Sequence, residues 1–268
     1  IATYSTSFGW ATKLLGASVR QHVKNIYALV RVADEIVDGS AAEAAALGGG
    51  INPASALDSY EGAVYQALSD GFSTDLVIHA FALTANFCGF SKELIEPFFA
   101  SMRADLTKQV HDQESFERYV YGSAEVVGLM CLAAFLKTSN QTYSRDEKLA
   151  LAAGARALGS AFQKVNFLRD LAADFNSLGR SYFPGIVVGK FTDAQRDYLV
   201  ADIDSELATA ARELPNLPRN STRAVAAALL LFAELNRKIS VTPAAELSTT
   251  RIRVSDPRKI LIVLRAYL

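Results

Sequence analysis

Apolar residues recur every three or four positions along almost the whole chain, and no run of alternating apolar and polar residues interrupts them. The pattern predicts an all-α protein. Helices are expected over 2–15, 18–38, 53–69, 74–88, 91–108, 113–137, 144–177, 192–214, 219–239 and 256–266. Breakers fall where turns are needed: Gly39, the triplet Gly48-Gly49-Gly50 ahead of Pro53, Gly71, Gly89, the stretch from Gly185 to Gly189, and the pair Pro215 and Pro218. The triplet reads as a linker followed by a helix start with proline in its first turn. As a phosphate loop it lacks both a preceding strand and a following Gly-Lys-Ser/Thr. No composition shift divides the chain, so residues 1–268 are expected to form one domain.

Half of the 268 residues are hydrophobic and 21% are charged, enough apolar material for a sizeable core. The 27 Lys and Arg residues nearly balance 28 Asp and Glu, for a formal net charge of -1. No global field therefore draws the chain to nucleic acid, and an anionic ligand has to be met by local charges. Cys88 and Cys131 both lie in apolar stretches, which suits unpaired thiols in a reducing cytoplasm. The longest uninterrupted apolar run, Val126 to Leu136, is short of the roughly 20 residues of a bilayer-spanning helix, so no anchor is expected. The chain opens at Ile1 without an initiator Met, and the sequence is expected to be trimmed there. No pattern specifies an oligomeric state.

Two stripes of polar residues carry the chemistry. Tyr27, Arg31, Asp34 and Asp38 are spaced by four, three and four, which places all four on one helical face. Gln163, Asn166, Asp170 and Asp174 repeat that arrangement, with Arg169 beside them and Arg180 and Tyr182 just beyond. Taken singly, an Asp-x-x-x-Asp pair is an ordinary solvated helix face. Here, however, Ile26, Leu29, Val30, Val32, Ile36 and Val37 leave the first helix apolar nearly all round, and Phe162, Val165, Phe167, Leu168 and Leu171 do the same for the second. Buried carboxylates need cations. Two such stripes facing each other would suit a hard divalent ion, Mg²⁺ first, which takes carboxylate and phosphate oxygens. His22, His79 and His111 are scattered and offer no zinc site. A serine-hydrolase reading fails for want of a Gly-x-Ser-x-Gly elbow.

These motifs, Arg31-Val-Ala-Asp34-Glu35-Ile-Val-Asp38-Gly39, then Gln163-x-x-Asn166-x-x-Arg169-Asp170-x-x-x-Asp174 and Gly179-Arg180-Ser-Tyr182-Phe-Pro184, resemble those of the squalene and phytoene synthase family of head-to-head prenyl transferases. Tyr4-Ser5-Thr6-Ser7-Phe8, Tyr119-Val-Tyr121-Gly122-Ser-Ala124-x-x-Val127-Gly128 and Arg251-Ile-Arg253-Val254-Ser255 match as well, in order along the chain. The resemblance implies an isoprenoid-synthase helical bundle around a central apolar tunnel with Mg²⁺, or alternatively Mn²⁺, at its mouth. It implies that Asp34, Asp38, Asn166, Asp170 and Asp174 hold metal and diphosphate. Tyr4, Ser5, Thr6, Ser7, Tyr27, Arg31, Gln163, Arg169, Arg180, Tyr182 and Arg251 would bind diphosphate or steer the intermediate, with Tyr119 in the central cavity. Aromatic faces such as Phe8, Tyr27 and Tyr119 suit an allylic cation. Thr12, one turn after Phe8, together with Gly122, Ala124 and Gly128, would leave room for a long chain.

The wording of Ala33 to Gly39 and of Gly179 to Pro184 is closer to the bacterial phytoene synthases within this family, which implies condensation of two geranylgeranyl diphosphates without NADPH. The alternative is a squalene or dehydrosqualene synthase acting on farnesyl diphosphate. A non-catalytic assembly factor would have no reason to keep the acidic quartet. Three departures stand out: Glu35, where Asp is common and a supporting role is expected; Glu125, where the motif often has Gly; and a helix from Arg223 to Ile239 without a tyrosine. Finally, Arg251, Arg253, Arg258, Lys259 and Arg265 interleave with Ile260, Leu261, Ile262, Val263 and Leu264. That pattern predicts either peripheral contact with the inner face of a membrane or a last helix packed on the bundle with Arg251 turned to the site.

Overall fold

The computed structural model describes residues 11–108, 110–178 and 181–266. Among these, every regular element is helical, and the β-type contact present is an isolated parallel bridge between Val110 and Ser181. Twelve α-helices follow one another: α1 (Ala17–Val37), α2 (Ser40–Ala46), α3 (Pro53–Asp70), α4 (Leu76–Cys88), α5 (Lys92–Asp105), α6 (Gln113–Val120), α7 (Val126–Lys137), α8 (Arg145–Leu178), α9 (Asp193–Glu213), α10 (Thr222–Ser240), α11 (Ala244–Leu247) and α12 (Asp256–Arg265). A π-helical segment, Tyr121–Glu125, joins α6 to α7. Of the helix expected over 2–15, residues 11–15 are described and 11–13 of them are helical; Tyr4, Ser5, Thr6, Ser7 and Phe8 lie outside the described residues, as does Arg180.

The helices begin and end for local reasons. Asn52 accepts from the backbone N–H groups of Ala54 and Ser55 with Pro53 in the first turn, and Asp75 accepts from Val77 and Ile78, so α3 and α4 start on side-chain caps. Both stop at glycines in the left-handed region, Gly71 and Gly89, each at φ 73. Thr192 and Gln195 form a reciprocal capping box at the start of α9. Helix α2 lies between the helices expected over 18–38 and 53–69, and its Ser-Ala-Ala-Glu-Ala-Ala-Ala sequence is a strong helix former.

Three clusters of buried residues make the core. One joins α1, α3, α4 and α5 with Val126 and Met130 of α7. A second joins α6, α8, α9 and α10 with Tyr182, Phe183 and Ile186. The third, built from Val19, Val23, Leu132, Ala134, Phe135, Leu151 and Ala224, fastens the two halves together. Helix α1 commits Val19, Val23, Ile26, Leu29, Ala33 and Val37 to the interior. Its opposite face, which carries Arg31, Asp34 and Asp38, is half-buried to exposed, so the helix is not apolar all round as its composition suggested.

The single helix expected over 113–137 is instead two α-helices in different phase. At the π turn the Tyr119 carbonyl accepts from the Ser101 hydroxyl of α5 at 3.1 Å. Gly122 sits so close to α5 that a β-carbon there would overlap the Pro97 carbonyl and the Ser101 hydroxyl. The stretch Gln113–Lys137 is long and apolar enough to cross a membrane by length and composition, which the eleven-residue run had not suggested; half of its most apolar window is buried inside the protein. Cys88 and Cys131 are free thiols, and burial pushes Cys131 up to about 12.

Gly122→Ala is expected to cost about 1–3 kcal/mol, because main chain has to move to admit one methyl group. Gly62→Ala in α3, where a β-carbon meets nothing within 4 Å, is expected to stabilise by about 0.5–1 kcal/mol. Urea unfolding followed by circular dichroism reads both, and equal midpoints for the two variants would contradict the interlock of α5 with the π segment.

Candidate active site

Tyr27, Arg31, Asp34 and Asp38 form a continuous stripe on the outer half of α1. The Arg31 guanidinium pairs with Glu35 one turn on. The other oxygen of Glu35 accepts from the Ser40 backbone N–H at 3.0 Å and from its hydroxyl at 3.1 Å. Glu35 thus caps α2 while holding Arg31, the supporting role expected of it, and the Ser40 N–H keeps its carboxyl below the ordinary carboxylate range. A longer acid than Asp is what reaches both partners.

Asp34 is in the opposite condition. Part of its surface remains open, but dense surroundings strip its hydration, and that loss is the largest influence on its carboxyl. Arg31 opposes that loss, the charges of Asp38 and Glu35 add to it, and burial prevails, so the carboxyl is raised to about 7. A carboxylate in that state carries an unmet demand for positive charge, and the oxygen donors beside it fit a hard divalent cation.

On α8, Gln163, Asn166 and Asp170 lie together on a half-buried stripe next to the fully buried Ala161, Val165 and Leu168. Asp170 is held by two guanidiniums, Arg169 at 2.5 Å and Arg251 at 2.6 Å. Arg251 comes from the segment before α12, so the end of the chain folds back onto α8, as one of the two readings of the basic tail required. The side chain of Asp174 lies outside the described residues. Among the described residues, no three or more His, Cys, Asp or Glu side chains are gathered as a metal cluster.

Tyr119 and Tyr182 do meet. Their rings are 5.3 Å apart, and Tyr182 stacks on Phe167 at 4.0 Å with an interplanar angle of 10°. The bridge between Val110 and Ser181 brings the following residues, His111 and Tyr182, into register, and their rings stack at 6.1 Å. The Tyr119 hydroxyl donates to Asp105 at 2.9 Å, with both residues buried. Burial, then the charge of Asp105, hold the Tyr119 phenol well above its usual range.

Sequence reasoning missed Asp105. Its signal was available: an acid at the C-terminal end of an apolar helix, where the helix dipole is unfavourable to it. The stacking of Phe232 on Phe162, with centroids 3.7 Å apart, was also missed; it places a ring from α10 against α8 in the helix that lacks a tyrosine.

The room reserved for a long chain at Gly122 and Gly128 is taken by protein. A β-carbon on Gly128 would stand 2.6 Å from the Ala155 carbonyl oxygen of α8, and one on Gly159 would stand 2.6 Å from the Ala124 carbonyl oxygen of the π segment. These glycines let helices touch. Thr12 is buried and Tyr27 half-buried. Glu125, unexplained in the sequence, pairs with Arg156 at 2.6 Å, and the Arg156 guanidinium lies over the Tyr121 ring at 5.3 Å. Both line an open cleft of about 960 Å³ between α6, α8 and α9, on a different face of α8 from Asp170.

The model of the family described as squalene/phytoene synthase matches residues 1–258. The chain is 28% identical over 282 residues to the chloroplastic phytoene synthase 2 of Solanum lycopersicum, covering 99% of this chain and 87% of that one. It is 25% identical over 284 residues to the 15-cis-phytoene synthase of Enterobacter agglomerans, covering 98% and 90%. Among solved structures, a dehydrosqualene synthase superposes with a TM-score of 0.78 over 100% of this chain and 92% of its own at 20% identity. A squalene synthase from Alicyclobacillus acidocaldarius gives 0.73 over 90% and 91%, also at 20%. The fold is therefore the isoprenoid-synthase helical fold, and with a match that runs through both polar stripes and Tyr119, the chain belongs to the squalene/phytoene synthase family of prenyl transferases.

Proposed function

We propose that this chain joins two geranylgeranyl diphosphates head to head, through a cyclopropylcarbinyl diphosphate, to phytoene and pyrophosphate, an early step toward carotenoids. The observation that carries this reading is the pair of polar stripes, Tyr27, Arg31 and Asp34 on α1 and Gln163, Asn166 and Asp170 on α8, that match the family motifs within the residues covered by the family model. It is supported by phytoene synthase relatives that align over nearly the whole chain.

Asp34, Asp38, Asn166, Asp170 and Asp174 would hold Mg²⁺, which when bound neutralises the charge that develops on a departing diphosphate. Arg31, Arg169, Arg180 and Arg251 are the fork donors for the phosphate oxygens. Two of them, Arg169 and Arg251, lie on Asp170 and would turn toward an incoming diphosphate. Loss of diphosphate from the first substrate leaves an allylic cation, and the second substrate donates its double bond to it. Tyr27, Tyr119 and Phe8 would face the cation with their rings, and an apolar tunnel would keep water from it. Gln163, Tyr182 and the Tyr4 to Ser7 segment would orient diphosphate and intermediate. A second ionisation, rearrangement and proton loss complete the product without a reductant.

The exposed face of α12 fits peripheral contact with an anionic bilayer. Ile260, Leu261 and Leu264 stand open to solvent between the exposed Arg253 and Arg265, while Ile262 is buried. Arg251 at Asp170 and the outward face of α12 are thus compatible.

Incubation of purified protein with C15 or C20 diphosphates and Mg²⁺, with and without NADPH, is expected to yield C40 hydrocarbon from the C20 substrate alone and independently of NADPH. Exclusive C30 product would replace this reading with that of a squalene or dehydrosqualene synthase. Asp34→Asn and Asp170→Asn are each expected to lower turnover on the order of a thousandfold while leaving the helical circular dichroism unchanged. Near-normal rates at saturating Mg²⁺ would remove the metal assignment. In flotation with vesicles of anionic lipid at low salt, the protein is expected to rise with the vesicles and Leu261→Glu/Leu264→Glu to remain behind; no flotation of the unsubstituted chain would refute the membrane contact.

A further inference from the structure

Helix α5 presents Pro97, Ser101 and Asp105 at intervals of four, hence on one stripe. All three act on the same short stretch of the neighbouring helix. The Pro97 carbonyl receives Gly122, the Ser101 hydroxyl donates to the Tyr119 carbonyl at 3.1 Å, and the Asp105 carboxylate accepts from the Tyr119 hydroxyl at 2.9 Å. Tyr119 is therefore gripped at both ends, main chain and side chain, by one helix.

The position of Asp105 is unfavourable for an acid that merely fills space. It is the last residue of α5, where the helix dipole opposes negative charge, and it is only 7% exposed. A phenol that donates to it lowers that cost, and the geometry sets the direction of the bond. With its proton turned to Asp105, Tyr119 has its ring, rather than a proton, to offer an approaching group. A hydrogen bond to a carboxylate also pushes electron density into the ring, which strengthens its attraction for a cation. His111 and Tyr182 pack against the same ring at 5.1 and 5.3 Å and restrict its rotation.

We propose that Asp105 is a positioning residue for prenyl transfer, acting through Tyr119 to fix the orientation and electron density of the ring that faces the cation. This rests on the function proposed above and adds a residue to it.

The test is a double-mutant cycle on the full chain with geranylgeranyl diphosphate and Mg²⁺. Asp105→Asn is expected to lower kcat about 10- to 100-fold with KM within about twofold. On a Tyr119→Phe background the same substitution is expected to change kcat by less than about twofold, since the hydroxyl through which it acts is gone. A purely structural carboxylate would instead give the same loss on both backgrounds, and that result, or a rise in KM alone, overturns the proposal. Should Asp105→Asn not fold, Asp105→Glu keeps the charge but displaces it; a folded Asp105→Glu protein with unchanged kcat also overturns the positioning role. An unsubstituted chain that turns over no prenyl diphosphate overturns the functional reading itself and this inference with it, a result distinct from equal losses on the two backgrounds.

Discussion

Backbone contact of α8 with α7 at Gly128, and with the π segment at Gly159, is the constraint on which the rest of the bundle depends. With no side chain at either position, each glycine lies against a carbonyl of the segment it faces, and the axes come closer than larger residues would allow. That contact fixes the rotation of α8 about its own axis, so its other faces are committed in advance. Ala161, Val165 and Leu168 go to the core, Ser160 and Lys164 to α9, and Gln163, Asn166 and Asp170 to the candidate site.

The charges on these faces are balanced very differently. Lys164 lies between Asp202 at 2.6 Å and Glu206 at 2.7 Å, with Ser160 donating to Glu206, so that face is paired within the protein. Asp170 likewise has two guanidiniums. Asp34 has burial and two neighbouring acids against one arginine that is itself engaged by Glu35. A stable fold tolerates such a deficit when something else supplies the missing charge, and under the proposed function a cation with a diphosphate would supply it. Under the same reading Asp170 would exchange its partners too, because arginines suit phosphate oxygens as well as they suit a carboxylate.

The π segment explains how one stretch of chain serves two purposes. Had 113–137 run as a single α-helix, Tyr119 and the α7 residues that meet α8 would follow one periodicity. The extra residue in the π turn shifts the phase, so that α6 turns Tyr119 toward Asp105, His111 and Tyr182 while α7 keeps Gly128 against Ala155. The carbonyl of Tyr119 at this turn is met by Ser101, and the bulk that would block it is absent at Gly122.

The helical class, the places where most helices begin and end, and the two polar stripes were legible in the residues themselves, because each depends on local spacing, caps and propensity within about one or two turns. Tyr119 and Tyr182 stood out through their motifs, and the structure brings their rings together. Tertiary structure alone decided where Asp105 points, since a bond between α5 and α6 spans fourteen positions and has no local period. It also decided that Gly122 and Gly128 make room for helices rather than for a chain, that Glu125 meets Arg156, and that the segment before α12 lays Arg251 on Asp170 while Leu261 and Leu264 face out. The physical reason is common to all of these: a glycine or an acid in a sequence states what a position can accept, and only the packed neighbour determines what fills it.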